Sequence, residues 1–157
     1  MFEGTGTKPL VIVGGGKAGG TAAATLRDEG FAGPIMVISW EPGIPFGRPP
    51  LSKTYLRSQE DLSGWYVRPA DWYEAHDVEL RTDSVVAVDP AAHTLALASG
   101  RELEYQKLLL ATGGRNRRLP IPGAELPGIH YLRTVADCDA IKREAVAGRR
   151  AVVVGMG

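Results

Sequence analysis

Three glycines at positions 14, 16 and 19, in the run Gly14-Gly15-Gly16-Lys17-Ala18-Gly19, carry the clearest chemical signal in this chain of 157 residues. They follow the apolar segment Leu10-Val11-Ile12-Val13 and precede the alanine-rich Ala22-Ala23-Ala24-Thr25-Leu26-Arg27. Strand, tight turn and helix in that order aim unpaired backbone N–H groups and the positive end of a helix at a pyrophosphate. Gly14 permits the turn, Gly16 lets the backbone approach the phosphates, and Gly19 lets helix and strand pack closely. Alone, a GxGxxG pattern also fits an ordinary glycine-rich loop. Here the flanking strand and helix supply the context that a nucleotide-binding turn needs.

Other reaction chemistries find little support. Cys138 is the only cysteine, so no intrachain disulfide and no cysteine-based metal site can form, which fits a reducing, cytoplasmic setting. His76, His93 and His130 have no ligand or base partner at useful spacing, and they read as structural; no metal site is expected. Eighteen basic and eighteen acidic side chains cancel, so no global field favours nucleic acid or an anionic membrane surface. Arg115, Arg117 and Arg118 form a small basic cluster that fits a solvated loop or a phosphate rim. No segment approaches a membrane span, and Met1 to Lys8 is short and polar, unlike a signal peptide.

The elements that must hold the glycine turn can be traced along the chain. Leu10–Val13 predicts a first strand, Lys17 to about Glu29 a first helix ended by Gly30, and Ile35–Ile38 a buried parallel strand. A βαβ opening of about thirty residues is what a dinucleotide-binding unit requires. Pro42, Pro45, Pro49 and Pro50 stiffen the next loop, and Leu51–Leu56 predicts the start of a helix. Asp71–His76 predicts a short helix; Val78–Arg81 and Val85–Val88 alternate like strands. Thr94–Leu97 and Glu102–Tyr105 flank Ser99-Gly100 as a hairpin. Leu108–Ala111 reads as a buried strand leading into Thr112-Gly113-Gly114. Pro120, Pro122 and Pro127 mark a connecting segment. Thr134–Ala147 predicts a helix stopped by Gly148. Ala151–Val154 followed by Gly155-Met156-Gly157 repeats the strand and Gly-x-Gly of the opening, as if a second nucleotide-binding turn began there; a terminal strand with flexible glycines is the alternative.

Several segments together resemble the FAD-dependent pyridine-nucleotide oxidoreductases, and within them the ferredoxin, rubredoxin and putidaredoxin reductases with the related apoptosis-inducing factors. The matching stretches are Val11 to Leu26, Ile44-Pro45-Phe46-Gly47-Arg48-Pro49-Pro50-Leu51-Ser52-Lys53, Leu108 to Gly114, and Tyr131-Leu132-Arg133-Thr134. The segment Arg48-Pro49-Pro50-Leu51-Ser52-Lys53 is the specific one. The resemblance implies an α/β fold: a Rossmann-like, glutathione-reductase-like FAD-binding domain with a β-hairpin insertion over residues 1–113, then a linker and the start of a second Rossmann-like NAD(P) domain over 114–157. It also implies that the isolated 157 residues, lacking the rest of both domains, would not turn over NADH.

Site residues follow position by position. Gly14, Gly16, Lys17, Ala18 and Gly19 match the pyrophosphate turn. Arg48 and Lys53 match a basic pair near the diphosphate and the flavin, a fork for phosphate and a compact charge beside the isoalloxazine; Lys53 is the one residue expected to act in the reaction itself. Val85, or Val86 after a slip of one residue, matches a backbone contact to the adenine. Ala111, Thr112 and Gly113 match a strand end that approaches the cofactor, and Arg133 an arginine near it. One position departs from the pattern. A carboxylate about twenty residues past the glycine turn normally binds the adenosine ribose. In this chain that place falls on Trp40, which has one N–H donor and no acceptor; Glu41 beside it is the candidate carboxylate.

Disulfide reductases of the superfamily carry a CxxxxC pair or a single cysteine before a Gly-Leu-Pro-Tyr-like segment. Here Pro42 precedes Gly43-Ile44-Pro45-Phe46, so no thiol is placed beside a flavin. The implied activity is hydride transfer from NAD(P)H to flavin N5, then single electrons to a small iron–sulfur protein of ferredoxin or rubredoxin type. Such chemistry belongs to the cofactor and asks the protein for position and electrostatics. The alternative is a flavoprotein similar to apoptosis-inducing factor, whose redox state controls partner binding. Trp65, Tyr66 and Trp72 fit either a flavin lid or packing.

Overall fold

The structure is a computed structural model that describes residues 7–155. It divides into two compact units, one of residues up to 48 with 62–114, the other of 49–61 with those from 115 onward. The first unit opens with β1 (Leu10–Val13), α1 (Lys17–Asp28) and β2 (Ile35–Ser39), as the local pattern predicts. It continues through α2 (Ala70–Ala75), β3 (Val78–Thr82), β4 (Val85–Asp89), β5 (Thr94–Leu97), β6 (Glu102–Glu104) and β7 (Lys107–Leu110). A parallel sheet has the order β3-β2-β1-β7, and β4-β5-β6 form an antiparallel meander. The predicted hairpin is thus extended to three strands by β4.

Alternation sorts the sheet's side chains into two cores. Val11, Val13, Met36 and Ile38 pack with Leu95 and Leu97 of the meander and with Tyr105 just after it. Ile12, Ile35 and Val37 pack on the other face with Ala23 of α1, Tyr73 of α2 and Val78. The central strands are covered on both faces, hence their unbroken apolar sequence. α1 stops where the sequence says it should. Gly30 takes φ +83, its N–H donates to Arg27 O at 3.0 Å, and Phe31 N–H donates to Leu26 O at 2.8 Å. That paired return of bonds is a Schellman C-terminus, which needs a left-handed residue after the cap.

The structure corrects four expectations. Leu51–Leu56 is not an α-helix: Pro49–Ser52 form a 3-10 turn, followed by irregular turns to Ser58 at φ +55. Pro49 and Pro50 lack N–H groups, and Tyr55 N–H reaches back five residues to Pro50 O, a spacing that no α-helix propagates. β7 is not buried; among the described residues it pairs with β1 on one edge only, and Leu109 and Leu110 are 40% and 61% exposed. The late helix, α3 (Val135–Glu144), ends before residue 147. Ala145 turns out of it at φ −78, ψ 62, with Val146 N–H on Glu144 O, an inverse γ-turn. Finally, Ala151–Val154 form no strand, since no described strand pairs with them, and Val152 is 90% exposed. The Gly-x-Gly that follows runs through Met156 and Gly157, which lie outside the described residues.

Arg27, in the last turn of α1, ties this unit together at the end opposite the glycine turn. Its guanidinium donates to the carbonyls of His76 at 2.7 Å, Gly33 at 2.8 Å and Asp77 at 2.9 Å, and also to Phe31 O. One side chain thereby satisfies carbonyls from the loop before β2 and from the turn between α2 and β3. Replacing Arg27 with Ala leaves those acceptors to water and is expected to lower unfolding free energy by about 2–3 kcal/mol. A denaturant titration would show this as a lower midpoint with an unchanged slope.

Candidate functional site

Steric contact between backbones sets the glycine turn. Gly14 adopts φ +128, and a Cβ built there would lie 2.1 Å from Ala111 O. A Cβ on Gly19 would lie 1.9 Å from Gly14 O and 3.2 Å from Ile12 Cγ2. The end of β1, the start of α1 and the end of β7 therefore meet main chain to main chain. Two hydrogen bonds seal the junction: Gly14 N–H to Ile38 O at 2.8 Å and Ala111 N–H to Val13 O at 2.8 Å.

Gly16 differs. Its backbone is extended (φ −86, ψ −172), which any residue adopts, and nothing lies within 4 Å of a Cβ placed on it. Its side of the turn is open. α1 begins next, with no side-chain cap and no acidic residue in its first turn. Lys17 and Ala18 are exposed there. The first-turn N–H groups have no intrahelical partners, and the helix dipole adds partial positive charge. Closed behind, open in front and capped by nothing, the turn fits an anion such as a dinucleotide's diphosphate.

The proline-stiffened loop lies beside it. Phe46 makes a parallel bridge with Gly16 and an antiparallel one with Tyr66. Val67 N–H donates to Pro45 O at 2.9 Å and Gly47 N–H to Trp65 O at 3.0 Å. A Cβ on Gly20 would meet Pro45 Cβ at 2.5 Å, a close helix-to-loop approach that the GxGxxG spacing does not announce. So held, the loop delivers Arg48. Its guanidinium lies 5.3 Å from the Phe46 ring centre, and Nη2 donates to Glu41 Oε2 at 2.6 Å.

Glu41 and Trp40 separate clearly. The Glu41 side chain is 11% exposed and, with Gly15, Ser39, Gly43 and Thr82, lines a small hollow at the end of β2. Trp40 is 61% exposed. The carboxylate beside the glycine turn is therefore that of Glu41. Register also separates Val85 from Val86. Val85 pairs with Leu97 and packs against the core that contains Val11, while Val86 falls at the bulge between Val85 and Ala87 and is 64% exposed. Ala111 joins the turn through its backbone; Thr112 and Gly113 (φ +69) follow it, exposed. Trp72 packs edge-on against Tyr73 and stacks on His76 at 4.3 Å, and Tyr66 lies in the bridge to Phe46. Both serve packing.

Lys53 and Arg133 belong to the second unit. Lys53 is exposed, its N–H on Pro50 O at 2.9 Å. Arg133 directly precedes the N-cap of α3, where Thr134 Oγ1 accepts from Asp137 N–H at 3.0 Å. In return, Asp137 Oδ2 accepts from the N–H groups of Arg133 and Thr134 at 3.0 and 2.8 Å. Burial pushes the Asp137 carboxyl upward, but these bonds and the nearby Arg118 charge outweigh it and hold it below the usual aspartate value. Cys138 is fully buried and its thiol donates to Leu51 O at 3.1 Å; burial, then the charge of Asp139, pushes it away from the reactive thiolate. His130 contacts Glu144 at 3.2 Å and His93 stacks on Tyr105, so each histidine has a structural partner. Among the described residues no group of His, Cys, Asp or Glu could hold a metal ion, and no helix is long and apolar enough to cross a membrane.

A parallel sheet that carries a bare helix N-terminus on a glycine turn defines a Rossmann-like dinucleotide-binding domain. Residues 8–157 match the pyridine nucleotide-disulphide oxidoreductase family, and the chain belongs to it. Rhodocoxin reductase of Rhodococcus erythropolis is 44% identical over 149 residues, which are 94% of this chain and 35% of that protein. Rubredoxin-NAD(+) reductase of Pseudomonas putida is 38% identical, with 94% of this chain and 39% of that protein covered. Among solved structures, a ferredoxin reductase from Rhodopseudomonas palustris superposes with a TM-score of 0.81 at 39% identity, over 88% of this chain and 34% of its own. A covalent putidaredoxin reductase–putidaredoxin complex gives 0.80 at 36% identity, over 90% and 35%. The chain thus spans little more than a third of the relatives it matches.

Two outcomes test this geometry. Gly14→Ala is expected to cost about 3 kcal/mol or more, from the positive φ and the clash with Ala111, whereas Gly16→Ala changes stability by less than about 0.5 kcal/mol. Equal midpoints for the two variants would contradict the closed-and-open arrangement. Asp137, with its folded pKa depressed, adds stability that is present above the usual carboxylate range and vanishes as pH falls through the folded value. The stability gap between wild type and Asp137→Asn should therefore be largest near neutrality and shrink in acid, as followed by denaturation across pH.

Proposed function

We propose that this chain supplies the FAD-binding part of an NAD(P)H-dependent reductase that passes electrons to a small iron–sulfur protein of ferredoxin or rubredoxin type. The observation that carries the reading is the turn itself: Gly14 and Gly19 closed against main chain, Gly16 open, and no side chain capping the helix end. The names of the similar proteins, rhodocoxin, rubredoxin and ferredoxin reductases, support the choice of acceptor class.

Within this reading Gly14, Gly16, Lys17, Ala18 and Gly19 receive the diphosphate, with N–H groups and helix dipole meeting its charge. Arg48, fixed by Phe46 and Glu41, is the fork that grips a phosphate oxygen pair. Glu41 lines the same site and sets the direction of that guanidinium. The backbone near Val85 meets the adenine, and Ala111, Thr112 and Gly113 close on the cofactor from the end of β7. Lys53 is read as the charge beside the flavin ring, and Arg133 as an arginine near the cofactor. Residues 1–113 form the first segment of the FAD domain, and 114–157 lead into the NAD(P) domain.

FAD supplies two-electron acceptance from the nicotinamide and one-electron release to the iron–sulfur partner. Nothing in the chain needs to serve as nucleophile or general base, which accords with the structural roles of its three histidines. The buried, hydrogen-bonded Cys138 is no redox thiol, so thiol–disulfide exchange is not part of the reading despite the family's name. An unpaired cysteine accords with a reducing cytoplasm. The reading as a flavoprotein similar to apoptosis-inducing factor is not favoured, because the similar proteins carry reductase names.

The full-length protein is expected to purify with flavin absorption and to reduce cytochrome c with NADH only when a ferredoxin or rubredoxin is added. Slow turnover with a long-lived charge-transfer band would return the second reading. Gly16→Ala should weaken FAD binding about tenfold or more while the fold stands. Arg48→Ala should weaken it to a similar degree, and Arg48→Lys should recover only part, because an ammonium cannot make the paired contact. Retained flavin per protein, read by absorbance after gel filtration, measures each.

A further inference from the structure

β2 ends at Ser39, so Trp40 stands just past the carboxyl end of a parallel strand, where doubly wound sheets take their ligands. A Cβ on Gly15 would touch Ser39 Cβ at 2.6 Å, which sets this strand end against the glycine turn. Along β2, Ile35 and Val37 pack toward α1 and α2 while Met36 and Ile38 pack toward the meander. Trp40 is the next position in the second series, and Val85 packs on that same face. The indole is 61% exposed, and among the described residues no ring or hydrogen-bond partner engages it.

An indole offers one N–H donor and no acceptor, so it cannot take hydrogen bonds from ribose hydroxyls. The neighbouring carboxylate is engaged elsewhere, its Oε2 held by Arg48 at 2.6 Å. What a large, uncovered aromatic face offers a nucleotide is stacking on the base, which tolerates any base and needs no hydroxyl. We propose that Trp40 holds the adenosine half of the FAD by stacking its indole on the purine, and that this contact stands in place of carboxylate-to-ribose hydrogen bonds. The proposal rests on the FAD reading given above.

The test uses full-length protein carrying its flavin, with FAD release followed by recovery of flavin fluorescence in increasing potassium bromide. Stacking of one base is worth about a tenfold change in affinity or more. Trp40→Ala is therefore expected to release FAD about tenfold more readily than wild type, and Trp40→Phe within about threefold of it. Because Trp40 is exposed, the three proteins stripped of FAD should unfold at the same denaturant concentration, which separates a lost contact from a damaged fold. Apoprotein reloaded with an FAD analogue lacking the adenosine 2′- and 3′-hydroxyls should bind it within about threefold of FAD. Unchanged retention by Trp40→Ala would overturn the proposal, as would a tenfold preference for FAD over the analogue. Wild-type protein that neither carries nor takes up FAD would instead overturn the functional reading beneath it.

Discussion

Three segments of main chain cross where β1, α1 and β7 meet, with no space for a side chain between them. Everything else in the first unit follows from that contact. Because Gly14 lies against Ala111 O and Gly19 against Gly14 O, the first turn of α1 is fixed relative to the sheet by backbone alone. The direction of its N–H groups is then independent of any rotamer. A charge-binding site built from such groups is preorganised, which avoids the reorganisation that flexible side chains would need when an anion arrives. The same crowding leaves one free direction, the side of Gly16.

The cationic part of the site is arranged by different means. Arg48 is long and would lose rotamer freedom on binding. The structure restricts it in advance between the face of Phe46 and the carboxylate of Glu41. Phe46 is held by bridges to Gly16 and Tyr66, and the prolines around it limit the loop's alternatives. With side chains 26% and 11% exposed, the ion pair sits between surface and interior. Pairs of that kind contribute little to stability, so its use lies in direction.

The parts legible in sequence are those set by neighbours along the chain. β1, the glycine turn, α1, its stop at Gly30 and β2 all arise from local periodicity and glycine placement. The end at Gly30 shows this well, because a Schellman turn needs only a left-handed residue at one position. The capping box at Thr134 and Asp137 is equally local. Ile35–Ile38 is the buried parallel strand that its unbroken apolar run predicts, but pairing and burial are not legible at the edge of the sheet or near the end of the chain. Leu108–Ala111 has the composition of a buried strand, yet among the described residues β7 has a partner on one edge only, a fact that no local pattern holds. Val152 and its neighbours have strand composition, and no strand among the described residues pairs with them. The choice between Val85 and Val86 required the bulge that displaces one residue outward. The paired prolines at 49 and 50 suit a helix start by rule, but the bonds after them mix spans of three, four and five residues and lead into turns.

The strand end at residues 39–41 shows how the residue type at one position sets the charge around it. A carboxylate at position 40 would bring a negative charge toward an incoming diphosphate, close to the N–H groups meant to receive it. An indole there brings none. Glu41 does carry a charge, but the Arg48 contact at 2.6 Å offsets it locally. What remains facing the open side of the turn is the partial positive charge of the helix end with Lys17 exposed in its first turn. Opposite charges within a few ångströms at a partly buried site interact more strongly than in bulk water, so removing a repulsive neighbour strengthens anion binding as surely as adding a donor. In the proposed reading, anion capture at the turn and base recognition at the strand end rest on separate physics, electrostatics at Gly16 and dispersion at Trp40. Neither requires the other's residue to move.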